Sequence, residues 1–300
     1  MTIIEYSSVC VRGSNWREKL NEAHRFIESA GFQFGVQIHN SSDLATTRRI
    51  VEWCPPEVKL SVHSPVLAKH FLNLATPDVA AIEATLESSL PVLDWAQTNL
   101  FFFHGFFLTE QPITHDMRRY REVLGDAMAG DFSCNNSFIM HPRIFETESF
   151  RHHKRLLARN LAWLQKRLPH HVVALENDFP GLGTALQRPE DIIGTVPNLW
   201  LDLGHLWVAS LLHKFDFYTA VDTLIEKVNI VGVHVNHNFS TAEMPVEEFN
   251  DSHDHLYLPS MQKLEGVMRK LRCANVPIIT LEVVEGDLED LKILTRWLKD

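Results

Sequence analysis

The stretch "NLWLDLG" (198–204) decides how this chain is read, because an apolar run of strand length stops abruptly at one carboxylate, Asp202, and then a glycine. A short run that is apolar on both faces fits a strand buried on both sides, as in a parallel sheet covered by helices. Similar runs recur along the chain: "TIIEYSSV" (2–9), "FGVQIHN" (34–40), "VKLSVHS" (58–64), "LFFFHGFF" (100–107), "HVVALEN" (171–177), "IVGVHVN" (230–236) and "PIITLEV" (277–283). Helix-like segments separate them. Residues 15–30 put Trp16, Leu20, Ala23, Phe26, Ile27 and Ala30 on one face, and 146–168, 260–272 and 287–300 are helical in pattern too. Eight such strands predict an α/β chain folded as a (β/α)8 TIM barrel, one domain over 1–300. A doubly wound open sheet is the alternative, but no GxGxxG or phosphate loop follows an early strand. The gap from about 108 to 170 exceeds one helix, which predicts an insertion at about 108–145 between the fourth and fifth strands. Within it, "SFIMHP" (137–142) reads as a further short strand.

With 300 residues, 45% of them hydrophobic and 22% charged, the chain can bury a sizeable core. Its net charge of −10 argues against an extended nucleic-acid footprint or an anionic membrane surface. No signal peptide is read at "MTIIEYSSVC", and no apolar run is long enough to span a bilayer. Cys10, Cys54, Cys134 and Cys273 lie far apart, which points to a reduced, cytoplasmic protein. A homo-oligomer is compatible with the sequence. Histidine is abundant, at 17 residues.

The informative feature is where the apolar runs end. The third stops at His63, the fourth at His104, the fifth at Glu176, the sixth at Asp202, the seventh at His234 and the eighth at Glu282. In a barrel of this type the C-terminal strand ends surround one mouth. His205 can turn back toward it, and "DSHDH" (251–255) opens on the same side. Each residue alone fits a helix cap, an ion pair or a turn. Together, so many acidic and imidazole groups would be costly to crowd without a cation. Imidazole with carboxylate suits Zn²⁺, Mn²⁺ or a similar divalent ion.

The ordered motifs "VHSPVLAKHFLNLA" (62–75), "FFHGF" (102–106), "ALEND" (174–178), "LDLGH" (201–205), "GVHVN" (232–236), "DSHDH" (251–255) and "ITLEV" (279–283) resemble the xylose-isomerase-like TIM-barrel superfamily. That superfamily holds sugar isomerases and epimerases, and also endonuclease IV, an apurinic-site nuclease of AP endonuclease family 2. The resemblance implies that Glu176, Asp202, His234 and Glu282 match the single-metal site of the isomerases. Further ligands of the nuclease's three-zinc cluster would correspond to His63, His104, His205, Asp251 and His253. His255 competes with His253, and His141 of "IMHP" competes with His104. His104 is preferred, because one strand–helix–strand unit then separates it from His63.

The chain also departs from the pattern. "LYLPS" (256–260) replaces a Gly-rich segment, Gly105 stands alone after His104, and Val66 occupies the place of a DNA wedge. The basic stretch 151–159 reads as a solvated helix face. These departures weigh against nucleic acid and toward a small carbohydrate-like substrate.

The favoured expectation is a sugar, polyol or sugar-phosphate isomerase or epimerase. In it Glu176 and Glu282 relay a proton, His205 positions a hydroxyl, and His141 and His255 are further substrate contacts. The alternative is a two- or three-zinc phosphoester hydrolase. A barrel that binds a ligand without catalysis is the third reading.

Overall fold

The computed structural model describes residues 2–11, 13–114 and 132–299. Eight parallel strands close a barrel in sequence order: β1 (Ile3–Ser7), β2 (Gln33–Ile38), β3 (Lys59–Ser64), β4 (Leu100–Phe103), β5 (Val172–Glu176), β6 (Asn198–Asp202), β7 (Asn229–Val235) and β8 (Ile278–Leu281). Closure pairs β8 with β1, Ile3 opposite Ile278 and Tyr6 opposite Leu281. The described helices are α1 (Trp16–Ser29), α2 (Leu44–Trp53), α3 (Val79–Ala96), α4 (Glu148–Arg167), α5 (Pro189–Ile192), α6 (Leu203–His213), α7 (Phe217–Lys227), α8 (Glu265–Cys273) and α9 (Leu288–Lys299). The expected (β/α)8 barrel is the observed fold. No helix among the described residues is long and apolar enough to cross a membrane.

Two apolar bodies hold it together. The larger lies between strands and helices, where Ile4, Val36, Leu175, Leu201 and Val233 meet the helix faces. The smaller fills the barrel interior with Leu100, Phe102, Ala174 and Trp200. Trp200 stacks on Phe102 with ring centroids 3.7 Å apart, and a Cβ at Gly232 would stand 2.4 Å from the indole. Side chains alternate across a strand, so the residue two places beyond each interior one points inward again, nearer the mouth. Phe102 leads to His104, Ala174 to Glu176, Trp200 to Asp202, Gly232 to His234 and Thr280 to Glu282. The apolar plug is the platform on which the polar residues stand.

The fourth connection departs from expectation. Residues 115–131 of the predicted insertion lie outside the described residues. Segment 137–142 is no barrel strand, because β4 and β5 pair directly, Leu100 with Val172 through Phe103 with Leu175. It makes isolated bridges instead, Ser133 with Met140 and Ile139 with Gly181, which tie it to the loop after β5. Segment 260–272 also becomes helical later than its pattern suggests, at Glu265. Before that point Gln262 is buried and donates to the Leu203 carbonyl.

Candidate metal centre

Glu176, Asp202 and His234 sit on the last turns of β5, β6 and β7, and Glu282 directly follows β8. All four are buried, and their ligand atoms lie within 4.8 Å of one another. His234 Nδ1 is the hub, 2.7 Å from Glu176 Oε1, 3.1 Å from Glu282 Oε2 and 3.5 Å from Asp202 Oδ2. Asp202 answers both readings of a strand-end carboxylate. Its Oδ1 caps α6 by accepting from the His205 amide at 2.6 Å, while its Oδ2 has no hydrogen-bond partner.

A second group shares Glu176. His63 Nε2 lies 3.1 Å and His104 Nε2 3.5 Å from Glu176 Oε2. Asp178 fixes the His104 ring by accepting from Nδ1 at 3.0 Å, and is itself held by the amides of Ala185 and Leu186. The third group is His205, Asp251 and His253. Asp251 Oδ2 lies 3.2 Å from His205 Nε2 and 3.1 Å from His253 Nε2. Each ring gives its other nitrogen to a backbone carbonyl, His205 to Asn177 and His253 to Glu282. Fixing one imidazole nitrogen so that the other faces a shared point is the usual way a metal-binding histidine is oriented.

The residues fit divalent ions. Two ligands about 2.1 Å from one ion at a tetrahedral angle lie about 3.4 Å apart, and the contacts above scatter around that spacing. His63 Nδ1, Glu176 Oε2, Asp202 Oδ2, Asp251 Oδ1 and Glu282 Oε1 are buried without hydrogen-bond partners. Orphaned acceptors on this scale are costly unless something positive meets them.

The electrostatics agree. Burial alone would lower His234, but Glu282 and Glu176 hold it well above the usual imidazole range. Burial likewise opposes His205, which Asp202 and Asp251 raise, and His253, which Asp251 lifts to about 10. Burial pushes Glu282 up to about 7 despite the neighbouring His234 and His253. Burial would raise Asp251 too, yet His253 and His205 hold it well below the carboxylate range. At Asp251, and likewise at Asp202, the neighbouring imidazoles outweigh burial. His63 is the exception: burial, with His104 and His39 beside it, drives it well below 6.5, so it stays neutral and able to ligate.

His63, His104, Glu176, His205, Asp251, His253 and Glu282 line one cavity of about 580 Å³, walled by Phe71, Phe107, Phe138, Phe179 and Phe249, while Asp202 and His234 lie buried beneath it. None of the described residues lining it is Lys or Arg. Chains known to be similar in structure cover the whole molecule. A D-tagatose 3-epimerase-like protein is 16% identical with a TM-score of 0.62, over 100% of this chain and 97% of that one. A putative xylose isomerase from Rhodospirillum rubrum is 13% identical with a TM-score of 0.55, over 100% and 98%. Endonuclease IV from Thermus thermophilus is 15% identical with a TM-score of 0.54, over 100% and 99%. The chain shares the (β/α)8 barrel fold of these proteins. No family model matches the sequence, and no curated protein is similar to it in sequence.

Within that barrel, every strand-end residue expected at the mouth is there. The competition between His104 and His141 is decided by β4, which ends at Phe103. His141 instead caps the turn Pro142–Glu146, its Nδ1 accepting from the Arg143 amide, and it does not line the cavity. His255 is also drawn away. It donates to Asp290 at 2.7 Å and stacks on Tyr257, while His253 takes the inward place. Val66 is buried in the core and projects no wedge.

The sequence reading missed His39. It follows β2 as His104 follows β4, lines the cavity, and places Nε2 3.3 Å from Glu282 Oε1. The strand-end rule that found the others would have found it at the end of "FGVQIHN". Asp178 was missed as well. It closes the motif "ALEND", but its partner His104 is set by the tertiary fold.

Proposed function

We propose that the protein is a divalent-metal-dependent hydrolase of small phosphoesters, with up to three ions at the barrel mouth. The observation that carries this reading is the sharing of Glu176 between two buried ligand groups, beside a third built by Asp251 and His253. A single ion held by Glu176, Asp202, His234 and Glu282 leaves that third ligand group without an ion. Closely spaced ions supply Lewis acidity and a clamp for phosphoryl oxygens in an in-line displacement. With no Lys or Arg among the described residues of the cavity wall, those ions would supply a phosphate with its positive partners there.

His63 and His104 would complete the site on one side of Glu176, and Asp202, His234 and Glu282 the site on the other. Glu282 Oε1 faces His39 and is placed to take a proton from a nucleophilic water, with His39 sharing it. The five phenylalanines give the cavity apolar walls, which suit a compact substrate, carbohydrate-like and not nucleic acid. Four unpaired cysteines accord with a reducing, cytoplasmic setting.

The test is metal content per chain after purification without chelator, together with turnover of bis(p-nitrophenyl) phosphate. Two or three zincs with turnover support the reading. One tightly bound ion and no hydrolysis would sink it in favour of an isomerase or epimerase. That second reading has its own support. Glu176 and Glu282 flank His234 from two sides, as a pair of carboxylates exchanging a substrate proton would.

A further inference from the structure

Below the metal centre, inside the barrel, a chain of polar side chains crosses a core otherwise filled by Phe102 and Trp200. It begins at Glu5 on β1, which is 1% exposed. Glu5 Oε2 accepts from the hydroxyls of Ser61 on β3 and Thr280 on β8, both at 2.8 Å. Thr280 Oγ1 in turn accepts from Gln37 Nε2 at 3.3 Å, and Gln37 Oε1 lies 3.0 Å from His234 Nε2. Space for this has been cleared. Gly35 stands opposite Glu5 across the β1–β2 pair, and a Cβ there would meet Glu5 Cγ at 2.9 Å.

We infer that Glu5, Thr280 and Gln37 act as a positioning relay that fixes the orientation and tautomer of His234. The argument is a count of donors. An ionised Glu5 can only accept, so Thr280 must spend its one hydroxyl proton on it. Thr280 is then left with lone pairs, which only the NH₂ of Gln37 can satisfy. That turns the amide carbonyl toward His234, whose Nε2 must carry the proton. With an ion bound, Nδ1 would present its lone pair on the side of Glu176, Asp202 and Glu282.

A carboxylate at the far end of the barrel thereby decides which nitrogen of a ligand histidine is free. Burial pushes Glu5 up to about 7 against the hydrogen bonds of Thr280 and Ser61, so the count applies to the ionised form that prevails above that pH. Reversing the amide would set an NH₂ against a protonated nitrogen and a carbonyl against a hydroxyl with no proton left to give.

The inference rests on His234 belonging to the metal centre, and its test separates the two ideas. Zinc affinity would be measured by competition with a chromogenic chelator for the wild type, Gln37→Leu and Ser61→Ala. Outer partners of metal-bound histidines contribute about 10–100-fold in affinity. Gln37→Leu is expected to lose that much at the tightest site, and Ser61→Ala, which leaves Thr280 and Gln37 in place, to lose clearly less than Gln37→Leu. A wild type that binds no zinc overturns the metal reading. A wild type that binds while Gln37→Leu matches it overturns the relay alone. Should Gln37→Leu not fold, histidine ¹⁵N shifts of the zinc-loaded wild type decide. The His234 proton on Nε2 supports the relay, and a proton on Nδ1 overturns it.

Discussion

The histidines of this chain fall into two regions that burial alone does not distinguish. At the barrel mouth His63, His205 and His234 are buried among Glu176, Asp202, Asp251 and Glu282. In the helical shell His213, at the end of α6, packs against Phe145 and donates from Nε2 to Gln187 Oε1 at 2.8 Å. Carboxylates lift His205 and His234, whereas burial and then Arg188 press His213 down to about 4. A buried histidine is therefore not a site by itself. What marks the mouth is the company of carboxylates with unmatched oxygens.

Four experiments would break or sharpen that contrast. The largest effect is expected from Glu176→Gln. It weakens two ligand groups at once, so turnover should fall by about 10²–10⁴-fold and bound metal should drop in the same preparation. Retention of full metal content and activity would remove Glu176 from the centre. Asp251→Asn comes next. Under the multinuclear reading it lowers the metal count by one and turnover by at least about tenfold. An Asp251→Asn protein indistinguishable from wild type would leave the single group at Glu176, Asp202, His234 and Glu282 as the working site. Asp178→Asn is a step smaller. It releases His104 Nδ1 and should cost about 10–100-fold in metal affinity, read by chelator competition. An unchanged affinity would show that His104 needs no such anchor.

How much of this was legible in the sequence follows from where each residue sits. Residues on strands were readable, because the period of two and the closing of the barrel bring every strand end to one place. Asp202 could be placed from "NLWLDLG" without any contact being known. Residues on loops were harder. Asp251 and His253 share five positions with Asp254 and His255, and only the folded loop shows that His255 turns to Asp290 instead. α6 gave no amphipathic stripe, since Leu203 through Ser210 are all buried. Orienting groups such as Asp178 and Gln37 were invisible, as nothing local ties them to His104 and His234. The short strand expected at 137–142 failed for a tertiary reason: β4 and β5 left it no place in the barrel.

The smallest effect tests the shell side of the comparison and concerns stability, not activity. His213 titrates near 6.5 in an unfolded chain and at about 4 in the fold. Between those values the unfolded state binds the extra proton, so stability falls as pH drops. The contribution is complete above pH 6.5 and lost by about pH 4, amounting to at most about 3 kcal/mol. His213→Gln removes the titrating group while keeping an amide near Gln187. Urea unfolding at pH 7.5, 5.5 and 4.5 should show the variant losing less stability than the wild type over this range. Equal slopes would mean that His213 becomes charged in the folded state at no cost, and the division between mouth and shell would then lose its electrostatic basis. The mouth histidines cannot produce the same difference, since both proteins carry them unchanged.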